Sequence, residues 1–177
     1  MRWAGWTALG LLLLAGCQRH DLVLGETDEG EIALASALPM SEPALEPQLL
    51  SGFYAPEPGG WRWTAGKFSV ALGVPPGARA RGGRLLLSVY VAEPLIGRFG
   101  SQTLAVKVAG QPLPPETYRR TGEYVFARDL PRAWLTAESV LVEGELDRFA
   151  RPGEFDGREL GLIVRSLALE PKEDSRP

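Results

Sequence analysis

The residue types best able to do chemistry are scarce and unevenly placed. His20 is the only histidine and Cys17 the only cysteine, so Ser-His-Asp, Cys-His and histidine-based zinc sites have no members in the rest of the chain. No Walker-type loop, GxGxxG after a strand or EF-hand loop is present, and no cofactor or metal is expected. Carboxylate chemistry remains open, because a glycosidase-type site needs only two facing acids. The acids in suggestive company are Glu57, Glu93, Asp147, Glu154, Asp156 and Glu159, but with 22 acidic residues in the chain some neighbour one another by chance. A solvated surface acid is the ordinary reading of each.

Aromatic residues say more. Phe53, Tyr54, Trp61 and Trp63 fall close together, with Arg62 between the tryptophans and Pro56, Pro58, Gly59 and Gly60 nearby. On a strand Trp61 and Trp63 share a face, and two indoles facing solvent can stack on a sugar ring or another apolar partner while Arg62 and nearby acids satisfy hydroxyls. The competing reading is that both rings close the core. A second polar stretch, Asp147 to Leu162, contains Asp156-Gly157-Arg158-Glu159. There Asp-Gly marks a turn and Arg-carboxylate pairing can fix the loop, a structural use that competes with ligand contact. Tyr54, Trp61, Arg62, Trp63, Asp156, Arg158 and Glu159 are therefore the candidate ligand-binding residues.

The elements that must position them show in the hydropathy pattern. From Trp61 onward the period is two: Phe68, Val70 and Leu72 alternate with Lys67, Ser69 and Ala71. Leu85, Leu87, Val89 and Val91 share one face, and Leu104, Val106 and Val108 alternate with Ala105 and Lys107. Further strands are expected over 124–130, 139–146 and 160–169. Turn signals separate them, among them Gly73 to Gly77, Ala109-Gly110-Gln111-Pro112 and Arg151-Pro152-Gly153. The 21 glycines and 15 prolines fall between short apolar runs, as in a chain of many strands and turns. Pro131 to Thr136 offers at most one helical turn. The expected fold is all-β, an antiparallel sandwich or jelly roll over 51–171 with a polar tail over 172–177.

Before the domain, residues 18 to about 50 carry many acids, three prolines and little periodicity. They read as a flexible acidic tether, with an N-terminal strand near Glu31 to Leu38 as the alternative. Arg2 and the apolar run ending at Leu14 have the length of a signal peptide and are too short to span a bilayer, which takes about 20 apolar residues. Leu14-Ala15-Gly16-Cys17 resembles the lipobox of bacterial lipoproteins. That resemblance implies cleavage before Cys17, lipid on its sulfur, and a membrane as partner, with two or three acyl chains giving a stable anchor. A free thiol or an intermolecular disulfide is the alternative for a lone exported cysteine. Gln18 stands where aspartate would signal retention at the inner membrane, which favours the outer membrane. Loss of residues 1–16 removes one arginine from a chain of net charge −3, so no nucleic-acid partner is implied.

The domain itself resembles β-sandwich modules found beside glycosyltransferases and in exported bacterial proteins, over roughly residues 52–170. The shared features are a Trp-Arg-Trp-Thr strand, here Trp61 to Thr64, a Val-Asn-Gly hairpin, and a Phe-x-Pro loop ending in Asp-x-Arg-Glu-Leu-Gly, here Asp156 to Gly161. Two departures are Ala109-Gly110 at the hairpin and the longer Phe149-Ala150-Arg151-Pro152. The resemblance implies a carbohydrate-binding-like sandwich; fold alone does not fix a ligand. Three functions follow as expectations. The first is a lipid-anchored, non-catalytic module binding envelope polysaccharide or another envelope component. The second is an assembly lipoprotein with a protein partner, and the third a carboxylate-dependent hydrolase.

Overall fold

Alternating side chains place one apolar row per strand on a common inner face, and burial follows that alternation closely. Phe68, Val70, Leu72, Leu85, Leu87, Val89, Val91, Leu104, Val106 and Val108 are all no more than 2 % exposed, while Lys67, Ala105 and Lys107 between them are exposed. Each such aliphatic side chain contributes roughly 1.5–3 kcal/mol by leaving water. The structure is a computed structural model that describes residues 34–173. The expected signal segment 1–16, Cys17, His20 and much of the acidic tether lie outside the described residues.

In chain order the strands are β1 (Ala37–Pro39), β2 (Leu49–Phe53), β3 (Arg62–Gly73), β4 (Gly83–Val91), β5 (Gln102–Val108), β6 (Gln111–Pro112), β7 (Glu116–Tyr118), β8 (Gly122–Leu130), β9 (Ser139–Leu146) and β10 (Ile163–Pro171). All pair antiparallel. The main order is β6-β5-β9-β3-β10-β4-β8, with β1 on β10, β2 on β3 and β7 on β5. Strand β3 joins the two halves of this curled sheet. Its first residues, Arg62 and Trp63, pair with Val164 and Ile163 of β10, and the rest pairs with β9 from Lys67 to Gly73. The inner faces of both halves then meet in one largely aliphatic core that includes Leu87, Phe126, Val142 and Leu167. The fold is the expected all-β antiparallel sandwich.

Gly144 of β9 lies opposite Phe68, and a Cβ there would come within 2.1 Å of the Phe68 ring. Only a glycine leaves room for a phenylalanine in this layer. The β5–β6 hairpin pairs Val108 with Gln111 across a two-residue turn in which Ala109 and Gly110 have φ of 49° and 75°. Two positive φ values match a type I′ turn, so the hairpin keeps this turn with alanine at its first central position.

Two differences from the sequence expectations have physical causes. The tether does not continue to Leu50, because Leu38 and Met40 are each 1 % exposed and β1 pairs with β10. A strand forms over Ala37–Pro39, meeting the alternative of Glu31 to Leu38 only at its last two residues. Gln48, 6 % exposed, fixes this segment: its Oε1 accepts from Ala35 N at 2.9 Å, and its Nε2 donates to Ala35 O at 3.0 Å and Ala71 O at 2.7 Å. Two short helices that were not expected, α1 (Pro76–Arg81) and α2 (Glu93–Phe99), also form, the first starting within the turn signal Gly73 to Gly77. Each carries a proline in its first turn and a glycine just past its end, the usual helix punctuation. Pro131 to Thr136 forms one 3-10 turn, Arg132–Trp134.

Candidate functional site

The aromatic triplet at the start of β3 alternates with a sense that corrects one expectation. Even-numbered residues of β3 face inward, so Arg62 is 2 % exposed and cannot reach a ligand. Its Nε donates to Met40 O at 3.1 Å, and its Nη1 donates to Tyr54 O at 3.1 Å and Glu46 Oε1 at 3.4 Å. A buried guanidinium is tolerated because carbonyls and a carboxylate take its donors. Thr64, the next inward residue, is fully buried, and its Oγ1 accepts from Leu162 N at 3.0 Å.

Trp61 and Trp63 consequently face outward and are half-buried. With Tyr90 and Phe99 they cover a second small cluster of Ala92, Leu95, Ala150, Leu160 and Ile163, contributed by α2, β10 and the segment joining β9 to β10. Neither indole belongs to the core between the layers. Their rings are 6.2 Å apart and nearly perpendicular, at 81°, an edge-to-face pair. Perpendicular rings do not form one continuous stacking plane, so a flat partner would meet one indole at a time.

The remaining candidates gather around Tyr54. A tight turn brings Glu57 opposite Trp61, with Glu57 N donating to Trp61 O at 2.8 Å and Gly60 N to Glu57 O at 3.0 Å. Arg158 Nη1 donates to Glu57 Oε1 at 2.9 Å, its Nε and Nη2 donate to Asp156 Oδ2 at 3.1 and 2.8 Å, and its guanidinium lies 5.5 Å from the centre of the Tyr54 ring. Tyr54 Oη accepts from Glu159 N at 3.1 Å, and Glu159 Oε1 accepts from Gly66 N at 2.6 Å. The structure therefore brings Tyr54, Asp156, Arg158 and Glu159 together, sets Trp61 and Trp63 beside one another, and removes Arg62. Glu57 joins the cluster as the second carboxylate on Arg158. In the sequence it stood among the six acids in suggestive company, outside the candidate ligand-binding set.

Electrostatics here favour fixed ion pairs over proton transfer. The Arg158 hydrogen bonds hold the Asp156 carboxyl below its ordinary value of 3.8, and Asp156, then Glu57, raise Arg158 in turn. A general acid needs the opposite shift. Glu154 accepts from Arg98 Nη2 at 2.6 Å and Asp147 from Thr103 N at 2.6 Å, so these acids too are engaged in shaping loops. Among the described residues no three His, Cys, Asp or Glu side chains gather as a metal site, and no helix is long and apolar enough to cross a membrane.

No protein-family model and no curated protein matches the chain. Solved structures similar to it include a cycloisomaltooligosaccharide glucanotransferase from Paenibacillus sp. complexed with cycloisomaltoheptaose, at 10 % identity and a TM-score of 0.42 over 77 % of this chain and 18 % of that one. An exo-β-1,3-galactanase from Phanerochaete chrysosporium with β-1,3-galactotriose gives 11 % identity and 0.39 over 78 % and 29 %. Dimeric latent PorU from Porphyromonas gingivalis gives 7 % identity and 0.38 over 59 % and 10 %. The chain spans less than a third of each of these proteins. Likeness at these scores carries nothing about function.

Proposed function

We propose that this protein is a non-catalytic envelope lipoprotein, held at the outer membrane by lipid on Cys17, whose sandwich binds glycan at the Tyr54–Trp61 end. The observation that carries the binding half is that Tyr54, Trp61 and Trp63 are all half-exposed beside a polar loop whose Glu57, Asp156 and Arg158 are already fixed in place. An apolar ring next to preordered hydrogen-bonding groups meets what a sugar presents, a C–H face and hydroxyls, with little ordering left to pay for. The anchor rests on Leu14-Ala15-Gly16-Cys17 and the apolar run before it. Calorimetry of the full chain against envelope polysaccharides tests the binding. Trp61→Ala should weaken it about tenfold or more, and binding unaffected by that change removes the reading. Labelling with a radioactive fatty acid in cells tests the anchor, and label retained by Cys17→Ser counts against it.

A second reading, an assembly lipoprotein with a protein partner, is favoured by β8. Among the described strands it pairs only with β4, and Val125 on it is 58 % exposed, leaving an edge open to strand addition. A photo-crosslinker at Val125 should then trap one discrete protein, and a smear or nothing argues against it.

A further inference from the structure

On the side of the 147–159 loop nearer α2 lies a cleft of about 360 Å³, at the small end of the roughly 300–1,000 Å³ typical of ligand pockets. Three arginines and two carboxylates line it, together with Phe99 and Phe149. Most of these charges are already used. Arg98 Nη2 donates to Glu154 Oε1 at 2.6 Å and its guanidinium lies 5.3 Å from the centre of the Phe99 ring, so both that cation and that ring are occupied. Glu154 Oε2 accepts from Arg151 N at 2.9 Å. Asp147 Oδ1 accepts from Thr103 N at 2.6 Å. Arg148 Nη1 donates to Phe99 O at 2.6 Å and Ser101 Oγ at 3.3 Å.

What remains is a matched set. Among the described residues the Arg151 guanidinium has no hydrogen bond or ion pair, Arg148 keeps its Nη2 donors beside an Nε that lies 3.8 Å from Asp147 Oδ2, and Phe149 lines the cleft with its ring. The Arg148 backbone and the Phe149 ring are held in position. Gln102, 1 % exposed, donates from Nε2 to Arg148 O at 2.7 Å. Phe149 lies over Gly66, where a Cβ would come within 2.3 Å of its ring. A guanidinium selects a carboxylate through paired N–H donors, and the ring selects a C–H face. Inorganic phosphate has no such face, and a neutral sugar has no charge for Arg151.

We propose that this cleft binds an acidic sugar of the uronate type, its carboxylate on Arg151 and Arg148 and its ring on Phe149. The groups that would hold the ligand, Arg148, Arg151 and Phe149, lie outside the Tyr54–Trp61 cluster, with Phe99 bordering both, and the site stands or falls separately from it. Nuclear magnetic resonance titration of the full chain with glucuronate, glucose and inorganic sulfate decides the matter. Glucuronate should move the Arg148 and Arg151 Nε–Hε signals and the Phe149 ring signals together, with a Kd on the order of 1 mM, and glucose should leave the arginine signals in place. Arg151→Ala, an exposed change that leaves the fold alone, should weaken glucuronate about tenfold, whereas Trp61→Ala should not alter it. Sulfate matching glucuronate on the arginines with Phe149 unmoved would mean an adventitious ion only, and would overturn the proposal. Equal binding of glucose, or no response to glucuronate at tens of millimolar, would overturn it as well.

Discussion

Strand β3 serves two apolar regions of opposite character. Its inner face feeds the core between the layers, largely aliphatic and closed, with Val70 and Leu72 fully buried. Its outer face begins the second cluster, aromatic and half-open, where Trp61 and Trp63 cover Leu95, Leu160 and Ile163 beside the ion pairs of Glu57, Asp156 and Arg158. Burial in the first is complete, so its side chains have no capacity left for a partner. In the second, the same hydrophobic material is left with a wet edge, and that edge is where contact with another molecule costs least. One strand thereby has a closed apolar side and a side with apolar rings still partly in water.

This division is breakable by mutation. Phe126→Ala, in the closed core, should cost about 3–5 kcal/mol, read from urea denaturation. Trp63→Ala, in the half-open cluster, should cost about 2 kcal/mol because less of its ring leaves water on folding. A larger loss from Trp63 than from Phe126 would reverse the assignment of roles. Glu159→Ala, which strips Gly66 N of its acceptor, should cost about 1.5 kcal/mol and loosen the loop, seen as faster amide exchange at Gly66.

Acid should act on the open region before the closed one. Arg158 depresses the Asp156 carboxyl in the folded protein, so the bond to Arg158 is present above the ordinary 3.8 and is lost as pH falls through the lower folded value. The Arg158 Nε–Hε signal should shift in that range, and Asp156→Asn should shrink the transition, with Glu57 still on Arg158. The smallest effect is expected outside both regions: Ala109→Asn in the hairpin turn should stabilise by about 0.5 kcal/mol, and a loss instead would mean the turn tolerates only the small side chain.

How much of this was legible depended on whether a residue's partners lie nearby in the chain. Strand β9 and the buried faces of β3, β4 and β5 could be read because period-two patterning is local, and β9 spans the expected 139–146. Strand β1 has three residues, too few for a period, and the Gln48 that secures it is polar. At the site, the ion pairing of the Asp156 loop was readable, being contained in Asp-Gly-Arg-Glu. The inward turn of Arg62 was not, since its acceptors come from Met40, Glu46 and Tyr54. One signal was present. Phase carried back from Leu72, Val70 and Phe68 through Gly66 and Thr64 lands on Arg62, and puts both tryptophans outside. The cleft beside α2 was hidden for the same reason, because Arg98 and Glu154 meet only after the chain has folded back on itself.

The clasp around Ala35 has a mechanical meaning. Besides its bonds to Gln48, Ala35 O accepts from Gly73 N at 3.0 Å on β3, and Ser36 O accepts from Leu169 N at 2.7 Å on β10. A pull on the chain ahead of residue 34 is therefore shared at once between both halves of the sandwich, and no single edge strand bears it alone. The load path enters the domain where the two layers are stitched together, so such a pull reorients the domain as a unit before it peels a strand away.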